Sequence, residues 1–108
     1  MLPSAVHIFL GDSDQRLALE RLCVLSGVES ASVGHSDHDG APGEVAARLI
    51  LDPAMAPEGE PAAHFVERMV RRYASVLALV NDGLDEATLL NLGVAEVFHP
   101  GAPAELIL

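Results

Sequence analysis

Two aspartates of this sequence follow short apolar segments, at positions where a carboxylate can meet a ligand beyond the end of a strand. Asp52 comes directly after Leu49–Leu51, and Asp12 follows the apolar segment Ala5–Leu10 with one glycine between. Two carboxylates at one edge of a sheet make a hard-oxygen site of the kind that Mg²⁺ prefers. A carboxylate beside bound Mg²⁺ can also accept a phosphoryl group. The pattern therefore indicates Asp12 and Asp52 as candidate magnesium ligands.

The segment that carries Asp52 has the pattern of a central strand. Its apolar run is short and uninterrupted, which is typical of a strand buried on both faces of a parallel sheet. Pro53 has no backbone N–H to donate to a sheet, so the strand must end at Asp52. Open α/β sheets bind their ligands at this carboxyl edge. The alternative to a ligand-binding role is structural: Asp52 only accepts backbone hydrogen bonds at the end of the strand.

Strand-like and helix-like segments alternate along the chain. The predicted strands are Ala5–Leu10, Val28–Val33, Arg48–Asp52, Ser75–Val80 and Val94–Phe98. The predicted helices are 14–26, Pro42–Ala47, Pro61–Tyr73 and Asp85–Leu92, with a short last helix expected from Pro103. The first helix has a broad apolar stripe at three- and four-residue spacing, and Gly27 suits its C-terminal end.

This alternation predicts an α/β fold made of one domain over residues 1–108. Right-handed crossovers between the strands give a parallel sheet with helices on both faces. Five strands in about 100 residues fit the flavodoxin-like doubly wound order, 2-1-3-4-5. The first and third strands are neighbours in that order, so Asp12 and Asp52 are expected side by side.

Composition limits the classes of partner and the location. The formal net charge is −10, with six basic residues, no Trp and one Tyr, so direct nucleic-acid binding is not expected. No apolar run approaches the roughly 20 residues that span a bilayer, so no membrane role is expected. The N-terminal residues lack the pattern of a secretory signal, and the lone Cys23 suits a reducing compartment. We therefore expect a cytoplasmic protein.

Four segments resemble the receiver domain of response regulators. They are IFLGDSDQRLALERL, LILDPAMAP, ALVNDG and LGVAEVFHPGAPAEL, and they follow in order through nearly the whole chain. The resemblance implies a role in two-component signalling, with Asp52 at the phosphoacceptor position and Mg²⁺ as the possible cofactor. No enzymatic activity is expected of the chain.

Three positions depart from the receiver pattern. Receivers carry two acids after the first strand, a Ser or Thr at the end of the fourth and a Lys after the fifth. This chain has Gly11-Asp12, Val80 and His99 there. Valine cannot hydrogen-bond a phosphoryl oxygen, and histidine is shorter than lysine and mostly neutral at pH 7. Loss of one such group commonly costs on the order of a hundredfold in rate.

The departures predict a degenerate receiver, or pseudo-receiver, that acts by binding protein and is phosphorylated slowly or not at all at Asp52. The alternative is an atypical receiver that is still phosphorylated there. The short last helix leaves apolar surface beside the helix Asp85–Leu92 and the strand Val94–Phe98. A protein partner or a homodimer is expected to cover that face.

A weaker similarity concerns cobalamin-binding domains, which share the doubly wound topology and have a closing segment similar to GVAEVFHPG. Those domains need an Asp-x-His-x-x-Gly loop after the first strand, but the loop here is GDSDQR, without histidine. The cluster His35, Asp37, His38 and Asp39 follows the second strand instead, with different spacing. Its residue types leave a metal site in that loop as a further alternative.

Overall fold

The computed structural model describes residues 5–11, 13–32, 45–80 and 83–99. The strands of its sheet are β1 (Ala5–Phe9), β2 (Glu29–Ser32), β3 (Val45–Leu51), β4 (Tyr73–Leu79) and β5 (Glu96–Phe98). The α-helices of the described residues are α1 (Ser13–Leu25), α2 (Ala62–Arg72) and α3 (Glu86–Asn91), and a 3₁₀ turn spans Pro53–Met55. Within the described ranges, no helix has the length and apolar character needed to cross a membrane.

The five strands form one parallel sheet in the order β2-β1-β3-β4-β5, which confirms the predicted fold class and strand order. Leu51 is aligned with Phe9 on one side and with Ala78 on the other. Leu79 is aligned with Phe98. The carboxyl ends of β1, β3, β4 and β5 therefore lie level along one edge of the sheet, and Asp52 follows β3 at that edge.

Each face of the sheet has its own apolar cluster. Leu49 and Leu51 of β3 contribute to the cluster that contains Phe65 of α2, whereas Ile50 contributes to the one that contains Leu19 of α1. Side chains alternate between the two faces of a strand, so an uninterrupted apolar run fills both clusters. The sheet is thus covered by helices on both sides, as the alternation of elements predicted.

Two predicted helix boundaries were wrong. The helix expected over Pro42–Ala47 is contradicted from Val45 onward, because Val45–Ala47 belong to β3 and Val45 is aligned with Tyr73 of β4. Residues 42–44 lie outside the described residues. Tyr73 was expected to end a helix, but its backbone is extended (φ −98°, ψ 154°) and begins β4. Pairing with neighbouring strands outweighed local helical spacing at both places.

The apolar stripe of α1 is only partly buried. Leu19 and Cys23 are buried and pack against the sheet. Leu17, Val24 and Leu25 are 47%, 76% and 83% exposed. The sheet covers one side of a helix, so the other members of a wide stripe face solvent.

Several predicted features lie outside the described residues. They are Asp12, the cluster at residues 35–39, and the short last helix expected from Pro103.

Candidate functional site

Asp52 is fixed by backbone contacts at the carboxyl edge of the sheet. Its N–H donates to the carbonyl oxygen of Phe9 at 2.9 Å, which ties the residue after β3 to the end of β1. Its Oδ1 accepts a hydrogen bond of 2.9 Å from the N–H of Ala54, so Asp52 caps the 3₁₀ turn that begins at Pro53. The side chain is half-buried. Asp52 thus accepts a backbone hydrogen bond through Oδ1, and a ligand role for its carboxylate stays a prediction.

The second carboxylate oxygen of Asp52 lies beside the end of β1. A Cβ built on Gly11 would be 4.0 Å from Asp52 Oδ2 and 3.3 Å from the sulfur of Met55. Because glycine lacks that atom, the methionine side chain can lie close to the backbone that follows β1. Asp12 is the next residue but is not described, so its pairing with Asp52 stays a prediction.

Val80 follows β4, the strand next to β3. Its N–H donates to the carbonyl oxygen of Phe98 at 2.9 Å and continues the β4–β5 pairing past the last residue of β4. Its half-buried side chain packs against the apolar cluster on the α2 side of the sheet. The position that would carry a hydroxyl in a receiver thus carries a methyl-bearing side chain in contact with the core.

His99 directly follows β5 and is exposed. β5 is separated from β3 by β4, so His99 lies at the same edge of the sheet as Asp52 but two strands away. An exposed imidazole in this place is open to solvent, which screens its interactions with other groups at the edge.

A complete metal centre is not assembled by the residues that the structure describes, since none of them form a group of three or more metal-ligating side chains. Mg²⁺ needs only one or two carboxylates when waters and phosphate oxygens complete its shell. Asp52 provides one carboxylate at the edge, with Oδ1 already accepting the N–H of Ala54. A magnesium site here would therefore depend on Asp52 and the undescribed Asp12.

An ionic cluster before α2 was missed by sequence reasoning. Glu60 accepts two hydrogen bonds from Arg68, at 3.2 Å from Nε and 2.9 Å from Nη2, and lies 2.6 Å from His64 Nδ1. The hydrogen bonds from Arg68 and then from His64 lower the pKa of the Glu60 carboxyl. The four-residue spacing of Glu60 and His64 was a usable signal. The guanidinium of Arg68 also lies 5.5 Å from the ring centroid of Phe65.

Comparison with solved structures gives the class of fold. The chain is similar to full-length FixJ from B. japonicum, with 16% identity and a TM-score of 0.72 over 99% of this chain and 55% of FixJ. It is similar to the receiver domain of TorR, the response regulator of the TMAO respiratory system, with 10% identity and a TM-score of 0.70 over 97% of this chain and 90% of that one. A CheY-like receiver domain protein from Methanospirillum hungatei JF-1 matches with 15% identity and a TM-score of 0.62 over 95% of this chain and 86% of that one.

These likenesses and the strand order define the fold as that of the receiver domains of two-component response regulators. The chain spans about half the length of FixJ. No family model and no curated protein matches the sequence.

Proposed function

We propose that this chain is a receiver-type signalling domain that acts by binding a protein partner, with phosphorylation at Asp52 weak or absent. The observation that carries the proposal is the placement of Val80. It follows the strand next to Asp52, and its side chain packs against the core instead of offering a hydroxyl at the edge. Without that hydroxyl, a phosphoryl group on Asp52 lacks the hydrogen bond that would couple it to β4.

The charge of the chain also disfavours a phosphoryl group at Asp52. A phosphoryl group adds up to about two negative charges, and the chain already has a formal net charge of −10. The sequence contains no lysine at all, and the residue after β5 is the exposed His99. A lysine after β5 would place a permanently charged ammonium group at this edge, and the chain has none there.

Further parts of the proposal concern cofactor, partner surface and location. Where Mg²⁺ binds, Asp52 and Asp12 hold it, and it supplies positive charge beside the carboxylate. The α3/β5 face is the proposed surface for a protein partner, because α3 exposes Leu90 (47%) there. The cytoplasm is the proposed location, since Cys23 is a buried free thiol. The proposal assigns no enzymatic turnover to the chain.

The first test uses beryllofluoride with Mg²⁺, a mimic of an aspartyl phosphate. Amide NMR signals of Gly11, Asp52 and Val80 are followed during the titration. We expect no saturable shift. The mimic would need a hydroxyl at position 80 and a lysine at position 99 to hold it beside Asp52, and the chain has Val80 and His99 there. A saturable shift at these three amides would support the alternative of an atypical receiver that is phosphorylated.

The second test measures labelling by acetyl phosphate with intact-protein mass spectrometry. We expect little or no added phosphoryl mass on the wild-type chain. Asp52→Asn identifies the source of any label. Asp85→Asn is the matched control, because Asp85 is also an aspartate at a helix start, where it accepts a 2.9 Å hydrogen bond from the N–H of Thr88. Near-complete labelling that disappears with Asp52→Asn but persists with Asp85→Asn would contradict the proposal.

A further inference from the structure

Helix α1 exposes most of the large apolar side chains on the described surface. Four are exposed in the described part of the chain, and three of them, Leu17, Val24 and Leu25, belong to α1. The fourth is Leu90 of α3. A surface helix normally keeps its apolar stripe on the side that faces the core. Apolar residues on the opposite side of α1 therefore indicate a second contact surface.

These residues line an open groove of about 410 Å³ along the outer side of α1, together with Glu20 and Arg21. At about 100° per residue, Leu17 and Val24 point within about 20° of each other. Glu20 points about 50° to one side of them, and Arg21 about 50° to the other. The surface thus has an apolar centre with a negative charge on one flank and a positive charge on the other.

This arrangement of charges is self-complementary in one orientation. When two identical helices lie side by side and parallel, opposite flanks face each other across the apolar seam. Glu20 of one copy then faces Arg21 of the second copy, and Arg21 of the first faces Glu20 of the second. Leu17 and Val24 meet their own equivalents along the seam. An antiparallel pair would bring flanks of like charge together.

Helix α1 adds no net charge to a contact between two acidic chains. The chain has a net charge of −10 and six arginines, of which two, Arg16 and Arg21, lie on α1. They balance the two acids of the helix, Asp14 and Glu20, so α1 is formally neutral. Close approach of two copies through this helix therefore brings no net charge into the contact.

We infer that two copies of this chain pair through their α1 helices, parallel and side by side, with Leu17 and Val24 at the centre and reciprocal Glu20–Arg21 ion pairs on the flanks. A single helix of this length covers less area than the roughly 800 Å² per partner of a standard interface. The dimer is accordingly weak, with a dissociation constant above about 1 µM. This inference does not depend on the chemistry of Asp52.

Analytical ultracentrifugation over a range from micromolar to millimolar protein tests the pairing. The wild-type chain is expected to shift from monomer to dimer within that range. Val24→Asp places a charge in the seam and is expected to weaken the dimer at least tenfold. Ala18→Asp is the matched control on the same helix, because Ala18 is exposed but does not line the groove, and the added charge there is expected to leave the dimer intact. Circular dichroism of each variant checks that the fold is retained.

Charge reversal tests the orientation. Glu20→Arg brings two positive charges face to face and is expected to weaken the dimer several-fold. The double variant Glu20→Arg with Arg21→Glu restores opposite charges and is expected to recover wild-type affinity. A wild-type chain that stays monomeric at millimolar concentration would overturn the inference. So would a dimer that resists Val24→Asp, or one that the double variant does not restore. Asp52→Asn is expected to dimerise like wild type, which separates this result from the tests of phosphorylation.

Discussion

The N–H of Asp52 donates a 2.9 Å hydrogen bond to the carbonyl oxygen of Phe9, so the residue after β3 is tied to the last residue of β1. Both atoms belong to the main chain. Substitutions of the Asp52 side chain therefore leave this contact in place and can test the carboxylate alone. The same contact fixes the position of Asp52 along the end of β1, so that its carboxylate lies near Gly11.

Replacing the Asp52 carboxylate separates its structural role from its chemistry. Asp52→Ala removes the acceptor of the Ala54 N–H and is expected to lower the free energy of unfolding by about 1 kcal/mol. Asp52→Asn keeps a side-chain oxygen in place and is expected to stay within about 0.5 kcal/mol of wild type. Urea denaturation followed by circular dichroism measures both. Equal stability of the alanine variant and wild type would show that the cap contributes nothing.

A hydroxyl at position 80 and a positive charge at position 99 are expected to raise the reactivity of Asp52. In the double variant Val80→Thr with His99→Lys, a hydroxyl and a permanent positive charge are added at the edge that carries Asp52. We expect the rate of labelling by acetyl phosphate to rise on the order of a hundredfold or more. Mass spectrometry of the labelled protein at several times gives the rate.

The control for this gain is the same double variant with Asp52→Asn, which is expected to remain unlabelled. Val80 packs against the core, so its hydroxyl variant is expected to lose about 1–2 kcal/mol of stability. Labelling is therefore compared at a temperature where all variants are folded. An unchanged rate would mean that features other than Val80 and His99 set the reactivity of Asp52.

The Glu60 cluster makes stability depend on pH in the acid range. Hydrogen bonds from Arg68, and then from His64, lower the pKa of Glu60 in the folded chain below its ordinary value of about 4.3. The stabilisation is present above that ordinary value and is lost as pH falls through the lower pKa of the folded state. We expect Glu60→Gln to cost up to about 1 kcal/mol at pH 7, a difference that disappears in strong acid.

Urea denaturation of wild type and Glu60→Gln at several pH values measures this difference. Glu58→Gln is the matched control, because Glu58 is an exposed glutamate in the same loop. It is expected to behave like wild type at neutral pH. A Glu60→Gln difference that stays constant down to pH 2 would contradict the assignment to the carboxylate.

Gly93 allows α3 to approach α2. Its φ is +105°, and a Cβ built there would lie 3.0 Å from Cγ1 of Val70 on α2. Gly93→Ala therefore meets both backbone strain and a steric contact, and is expected to cost on the order of 2–3 kcal/mol. Gly27 after α1 has φ +72° but open space around it, so Gly27→Ala is expected to cost about 1 kcal/mol. Thermal or urea unfolding compares the two, and equal losses would exclude the contact with Val70.

The layout of strands and helices was largely predictable from the sequence. Short uninterrupted apolar runs predicted the central strands, Pro53 ended one of them, and Gly27 followed the first helix as expected. These signals are local, since they depend on backbone geometry within a few neighbouring residues. Five such strands, alternating with helical segments, left few possible topologies, and the observed order is among them.

The sequence could not predict contacts between residues far apart in the chain. His7 Nδ1 lies 3.0 Å from the hydroxyl of Tyr73, a contact that exists only because Tyr73 begins β4 instead of ending a helix. Likewise, the spacing of apolar residues in α1 did not show which of them the sheet would cover.

The sequence by itself thus determined the order of the five strands and that Asp52 follows a central strand, because proline, glycine and apolar spacing act over a few residues. Only the tertiary structure decided that Gly11 lies against the Asp52 carboxylate, that Val80 packs into the core, and that α1 has an apolar outer side. Those outcomes depend on strand register and on how much of each helix the sheet covers. Both are set by packing between distant parts of the chain.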